Sequence, residues 1–222
     1  KLAFSQNLTS TVSAAFNPAT HPNIRAFYKF KSLGGADIAQ VSSWNDQTGN
    51  FNLLQATVSE QPSYSASTGA VNFSGGNDSL ESATSFGLSS SFVVAIRMNV
   101  DTTINNDVAI GSNKENGNFI RIKSSNKITL RYGNGAVTDH TLNSGTTISD
   151  STTFNLIVSR NDDGLTKIFF DGTEQTTTKT ESTVNEFVID ALGVRRIDTN
   201  DLDGAIFEVQ VYDGISFDTA GF

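Results

Sequence analysis

The chain has 222 residues, a formal net charge of −8 and no cysteine. So acidic a chain argues against nucleic-acid binding, which needs a basic face, and the lack of Cys excludes disulfides, thiolate metal sites and cysteine nucleophiles. No apolar run approaches the roughly 20 residues that a membrane helix needs, and the length suits a single β-sandwich or barrel.

Residues 1–24 carry Pro18 and Pro22 and alternate poorly. They are predicted to form an N-terminal arm ahead of one sandwich domain at 25–222. Leu2, Phe4, Leu8, Val12 and Phe16 recur at about every fourth position of the arm, which suits docking on a partner; a loosely packed terminus is the alternative. From Arg25 onward the dominant period is two. Strands are predicted at Arg25–Phe30, Ala70–Phe73, Ser91–Val100, Asp107–Gly111, Asn118–Lys123, Lys127–Tyr132, Thr153–Arg160, Leu165–Phe170, Phe187–Ile189 and Gly204–Tyr212. In Ser91–Val100, the residues Phe92, Val94, Ile96, Met98 and Val100 share one face, the mark of a half-buried strand. Phe154, Leu156 and Val158 repeat the pattern, as do Ala205, Phe207, Val209 and Val211, with Glu208, Gln210 and Tyr212 pointing the other way. The turn at Asn161–Gly164 makes Thr153–Phe170 a hairpin. Weak helical periodicity places a short helix near Asn77–Phe86 or in the C-terminal tail. About ten short strands at this spacing predict an all-β, two-sheet antiparallel sandwich.

Four segments, in order, resemble the laminin-G-like group of concanavalin A-like lectins and glucanases. Trp44-Asn45-Asp46-Gln47-Thr48-Gly49-Asn50, followed by Gln61-Pro62-Ser63-Tyr64, is similar to a W-x-D-x-S-G-N stretch with Thr48 in place of Ser. Val71 to Leu80 is similar to F-D-G-x-D-x-L, with Ser74 replacing the first Asp. Phe154–Val158 with Ile168–Gly172 looks like the hairpin ending in D-G, and Asp203–Tyr212 is similar to the closing F-x-G-x-I-x-E-V-x-I-Y strand. The resemblance implies a concanavalin A-like jelly roll. Its Trp44–Tyr64 stretch is similar to modules common in bacteriophage structural proteins.

Relatives of this fold hydrolyse glucans with two carboxylates about 5–10 Å apart, in an E-x-D-x-x-E arrangement that this sequence lacks. Glu186 and Asp190, Glu181 and Glu186, and Asp201 and Asp203 are the nearest approaches. His21 and His140 read as surface residues with no triad or zinc spacing around them. The triplets at Asn7, Asn72 and Asn77 are what an Asn-, Ser- and Thr-rich chain produces by chance. Calcium takes carboxylate and carbonyl oxygens from loops; its candidate ligands are Asp46, Asn77, Asp78, Asp107, Asp201 and Asp203, although Asp and Asn also favour turns for their own sake. Sugar binding needs an aromatic platform with planar polar groups, for which Trp44, Arg131, Tyr132, Asn134 and Tyr212 are the candidates; Trp44 equally suits the core.

The expected function is that of a non-enzymatic virion surface protein, in capsid decoration or in a tail or fibre, with a glycan-binding adhesion role. Its partners would be other virion proteins or copies of itself in a homotrimer, and a cell-surface glycan, with no nucleic acid and no membrane. The rivals are a carbohydrate-binding module of a secreted bacterial protein and a divergent glycan-active hydrolase.

Overall fold

The computed structural model describes residues 17–101, 107–112, 114, 117–124, 126–133, 135–180, 186–194 and 201–217. Among them the first strands are β1 (Ile24–Tyr28), β2 (Ser43–Trp44), β3 (Leu53–Leu54), β4 (Ser63–Ser65), β5 (Ala70–Ser74) and β6 (Leu80–Leu88). Next come β7 (Phe92–Val100), β8 (Asp107–Gly111), β9 (Phe119–Lys123), β10 (Lys127–Arg131) and β11 (Thr138–Thr141). The last are β12 (Phe154–Arg160), β13 (Leu165–Phe170), β14 (Thr173–Glu174), β15 (Lys179–Thr180), β16 (Phe187–Leu192) and β17 (Asp203–Asp213). Two 3-10 turns, Pro18–Thr20 and Val58–Glu60, supply the helical content among the described residues.

These strands form two antiparallel sheets. One has nine strands in the order β14-β13-β12-β7-β17-β5-β4, with β1 also paired to β17 and β15 to β13. The other has eight, in the order β11-β10-β9-β8-β16-β6-β3-β2. The molecule is a two-sheet antiparallel sandwich of the jelly-roll kind, as the period-two pattern implies. Successive side chains of a strand point to opposite faces. Phe92, Val94, Ile96, Met98 and Val100 of β7 therefore join Phe154, Leu156 and Val158 of β12 and Val209 and Val211 of β17 in one core between the sheets. Each such side chain contributes about 1.5–3 kcal/mol by leaving water.

Phe207 departs from the expected register. Ile206 pairs with Met98 and Glu208 with Arg97, so Phe207 is an extra residue in a β-bulge. The bulge reverses the alternation. Ile206 enters the core, while Ala205 and Phe207 turn to the outer face and pack with Ala70 and Phe30. Arg97 lies over both the Phe30 and the Phe207 rings, at 5.3 and 5.2 Å. Beyond the bulge β17 runs close to β7 at Gly204, where a Cβ would sit 2.4 Å from the Asn99 carbonyl oxygen.

Nor is the outer face of this sheet open to water at its centre. Val93, Ala95, Ile157, Phe169 and Tyr212 are buried there, with Ile24, Ile215 and Phe217 packed against them. Phe217 lies 4.2 Å from Phe169, ring to ring, and His21 meets Tyr212 edge-on at 5.2 Å. The outward set of β17 is consequently buried but hydrogen-bonded, as enclosed polar groups must be. The Tyr212 hydroxyl donates to Gln210 Oε1 at 2.7 Å, and Gln210 Nε2 donates to Glu208 Oε1 at 2.7 Å. The Phe30 N–H donates to Glu208 Oε2 at 3.3 Å.

The stretch predicted as a helix near Asn77–Phe86 is largely strand β6. Phe86 pairs with Ile189 and Glu81 with Ala191, so β6 carries extra residues between its two paired segments. Ala83, Thr84 and Ser85 are exposed in this bulge, and the Lys114 ammonium donates to the Ser82 and Ala83 carbonyls at 2.8 and 2.6 Å. The insertion breaks the two-residue period, which is why the sequence does not read as a strand there.

The two phenylalanines test this arrangement. Phe92→Ala removes a ring from the main core and should cost about 3–5 kcal/mol. Phe207→Ala removes one from the small outer cluster and should cost about 1.5–3 kcal/mol. Urea unfolding of both variants checks the order; equal losses would place Phe207 in the main core and refute the bulge.

Candidate functional site

The β4–β5 hairpin forms one edge of the nine-stranded sheet, and a cleft of about 330 Å3 lies beside it. Val71 and Phe73 turn into the core, so Asn72 and Ser74, at alternating positions, face the other way. Ser63 is the cross-strand partner of Asn72 and shares its face. Residues 38–41 run alongside β4: the Ile38 N–H donates to the Tyr64 carbonyl at 3.0 Å and the Val41 N–H to that of Pro62 at 2.7 Å. This places Gln40 on the cleft, opposite the Val58–Glu60 turn and next to Gln61. Asp78 closes one end.

The polar groups here fall into two sets. Some hold the walls: Gln40 Nε2 donates to the Val58 carbonyl at 3.2 Å, Gln61 Nε2 to that of Gln55 at 2.7 Å, and Asp78 Oδ2 accepts the Ser74 N–H at 2.8 Å. The others make no hydrogen bond among the described residues. They are the second carboxylate oxygen of Asp78, the Asn72 carboxamide, and the hydroxyls of Ser59, Ser63 and Ser74. Val58, 57% exposed, gives the rim an apolar face. A concave site of this size with a few polar groups beside apolar surface suits a small ligand.

The residues expected to bind glycan do not form an exposed platform. Trp44 and Tyr132 are 2% and 3% exposed, and Tyr212 is fully enclosed. Their polar tips find partners inside, which lets amphipathic rings be buried. Trp44 Nε1 donates to Ser32 Oγ at 2.9 Å, and the Tyr132 hydroxyl lies 3.4 Å from Thr166 Oγ1. Arg131 is half-buried, with Nε donating to the Gly135 carbonyl at 3.1 Å. Asn134 lies outside the described residues. His140 is fully buried rather than on the surface, with Nδ1 3.1 Å from the Thr177 carbonyl oxygen.

The calcium candidates separate into one and five. Asp46 is engaged by its own loop and by β1: its carboxylate accepts the N–H groups of Phe27, Thr48, Asn50 and Phe51 at 2.8–3.2 Å and the Thr48 hydroxyl. That leaves it little capacity for a cation. Asn77, Asp78, Asp107, Asp201 and Asp203 gather at one end of the sandwich, where Ser74 pairs with Asp203 and the Asn77 N–H donates to Asp201 Oδ2 at 3.1 Å. Burial first, and then the Asp203 carboxylate, push the Asp107 carboxyl up to about 7. Among the described residues no three His, Cys, Asp or Glu side chains converge on a metal position.

Sequence reasoning missed Gln40, Asn72 and Ser74 as site residues. On an edge hairpin such side chains look like ordinary solvated positions.

Two sheets of this order make a lectin/glucanase-like sandwich. The chain belongs to the Laminin_G_3 family of the concanavalin A-like lectin/glucanases superfamily, which matches residues 73–216. No curated protein matches it in sequence. Among solved structures it is similar to domain 4 of AbnA, a GH43 extracellular arabinanase of Geobacillus stearothermophilus, in complex with arabinotriose: TM-score 0.58, 16% identity, 87% of this chain and 94% of that one. It is also similar to the binding domain of Paraclostridial Mosquitocidal Protein 1, with TM-score 0.61 and 11% identity over 86% of this chain and 49% of that one. The sialidase of Trypanosoma rangeli in complex with sialic acid matches with TM-score 0.56 and 11% identity over 87% of this chain, which spans only 31% of the sialidase. At these identities the likeness is one of fold.

The raised carboxyl of Asp107 gives a pH test. Its value when folded, about 7, lies above the ordinary 3.8, so the folded state holds this proton more tightly. The stability it contributes is complete below the ordinary value and is lost as pH rises through about 7. Asp107→Asn should therefore stabilise the protein at about pH 8, on the order of 1–2 kcal/mol once water at the strand end is allowed for. The advantage should fade toward about pH 4, as urea midpoints at the two pH values would measure.

Proposed function

We propose that this domain is a non-enzymatic glycan-binding module that serves as a virion surface protein, in capsid decoration or in a tail or fibre. The observation that carries the binding role is the cleft, which offers several free hydrogen-bonding groups and one carboxylate, Asp78. Glycosidic cleavage takes two carboxylates about 5–10 Å apart. Of the pairs nearest that pattern in the sequence, Glu186 is exposed, whereas Asp190 is buried and accepts the Ser112 hydroxyl at 2.8 Å. Glu181 lies outside the described residues.

The likeness to a domain solved with arabinotriose, and to a toxin's binding domain, supports glycan binding. The virion placement is supported by the resemblance of Trp44–Tyr64 to phage structural modules. In that setting the partners are other virion proteins or copies of this chain in a homotrimer, engaged through the N-terminal arm, of which residues 1–16 lie outside the described residues. One observation favours a second reading, a carbohydrate-binding module of a secreted bacterial protein: the match to the arabinanase domain runs over 94% of that domain.

On an immobilised glycan array the protein should retain a discrete subset of glycans. It should release no reducing ends from arabinan, laminarin, agarose or carrageenan. Turnover abolished by Asp78→Asn or Glu208→Gln would overturn the non-enzymatic assignment, and a blank array would overturn the binding role. Deletion of residues 1–16 should reduce the mass in solution to about one third, by closed trimeric symmetry; an unchanged mass would remove the arm from assembly.

A further inference from the structure

The cleft beside β4 and β5 has a one-sided chemistry that bears on its ligand. Its lining contains no Lys, Arg or His. The amide nitrogens of Gln40 and Gln61 each give one N–H to a backbone carbonyl, so each side chain keeps a second N–H and its oxygen. Asp78 is 8% exposed, with one carboxylate oxygen held by the Ser74 N–H and the other making no hydrogen bond among the described residues. The unmatched groups thus include both donors and acceptors, and the Asp78 carboxylate is the one charge among them. The Ser63 and Ser74 hydroxyls can act either way, and the Asn72 carboxamide, bonded to no other described residue, offers both a donor and an acceptor.

Such a set suits a ligand whose groups both donate and accept, as hydroxyls do. A sugar hydroxyl donates one hydrogen bond and accepts others, and a carboxylate accepting from hydroxyls makes a short, charge-assisted bond. A vicinal diol can meet the free Asp78 oxygen and a neighbouring amide oxygen together. An acidic sugar has the opposite fit. Its carboxylate would be brought next to Asp78 with no cation to offset the repulsion, on a protein whose net charge is −8. Juxtaposed like charges are a strong discriminator between ligands. Val58 at the rim offers an aliphatic surface for the C–H face of a ring, and no aromatic ring face is exposed along the cleft, since Phe73 is 3% exposed. Without a stacking platform, recognition rests on the hydrogen bonds at one sugar unit.

We infer that the cleft lined by Gln40, Gln61, Ser63, Asn72, Ser74 and Asp78 binds a neutral, hydroxyl-rich sugar unit through Asp78 and Asn72 and rejects uronic and sialic acids. The inference rests on the glycan-binding reading above and adds to it the site and the charge class of the ligand.

The test uses the full chain and matched probes that differ only in a carboxylate: the methyl glycosides of D-glucose and D-galactose against those of D-glucuronic and D-galacturonic acid, with methyl L-arabinofuranoside and N-acetylneuraminic acid added. Ligand-observed NMR titration gives the affinities. At least one neutral glycoside should bind, with an affinity about tenfold or more above its acidic counterpart. Asn72→Ala should weaken the neutral sugar by about fivefold or more with an unchanged melting temperature, because Asn72 supports no other residue. Asp78→Asn should narrow the gap between neutral and acidic sugars. Since Asp78 also holds the Ser74 N–H, the Asn72 variant keeps the test valid if Asp78→Asn unfolds. Equal binding of a neutral sugar and its uronic acid overturns the charge selectivity. Neutral binding untouched by Asn72→Ala overturns the site while leaving the glycan-binding reading intact. Failure of every neutral probe alongside a productive array likewise overturns only this inference, whereas failure on the array as well overturns both.

Discussion

The structure depends on where its last strand lies. β17 occupies the middle of the nine-stranded sheet, hydrogen-bonded to β7 along one edge and to β5 and β1 along the other. Those neighbours come from the beginning and the middle of the chain. Neither the sheet nor the core beneath it can close until the final strand is in place. Topologies of this kind carry a high loop-closure cost and fold slowly. The same strand joins the two halves of the site region: Asp203 begins it beside the acidic loops, and its pairing with β5 holds the hairpin on which the cleft is built.

Much of the fold was legible because these strands alternate strictly. β7, β12, β13 and most of β17 lie where a period of two puts them, and the Asn161–Gly164 turn joins the expected hairpin. The errors have local backbone causes. Phe207 sits in a bulge, a one-residue event with no mark in a sequence that alternates smoothly through it. In β6 the extra residues between Glu81 and Phe86 break the period, so a true strand looked irregular. Strands of two residues, such as β2 and β14, are too short to carry any period.

The candidate site was far less legible. The aromatic residues chosen for sugar stacking are interior because their polar tips found partners: the Trp44 indole has Ser32, and the Tyr212 hydroxyl has Gln210. Composition cannot distinguish a ring with such a partner from a ring facing water. Aspartate shows the same ambiguity. Asp46 and Asp78 both sit beside short turns, yet the first is saturated by four donors of its own loop and one from β1, while the second keeps an oxygen free at a cleft. Which of the two is available depends on how Gln40 and the Val58–Glu60 turn come to lie across from β5, and that is decided by tertiary packing alone.

The tight crossing at Gly204 bears on a problem that hydrophobic alternation cannot solve. A slip of β17 by one residue would exchange its core and outer faces and is rejected by burial alone. A slip by two would keep every face correct. It would, however, bring a side chain to within 2.4 Å of the Asn99 carbonyl oxygen, and it would part the Glu208 carboxylate from the Phe30 N–H. One missing Cβ and one buried acceptor thus reject the even-numbered misalignments, and the alternating apolar residues reject the odd ones. Together they leave the central strand a single frame in which to insert.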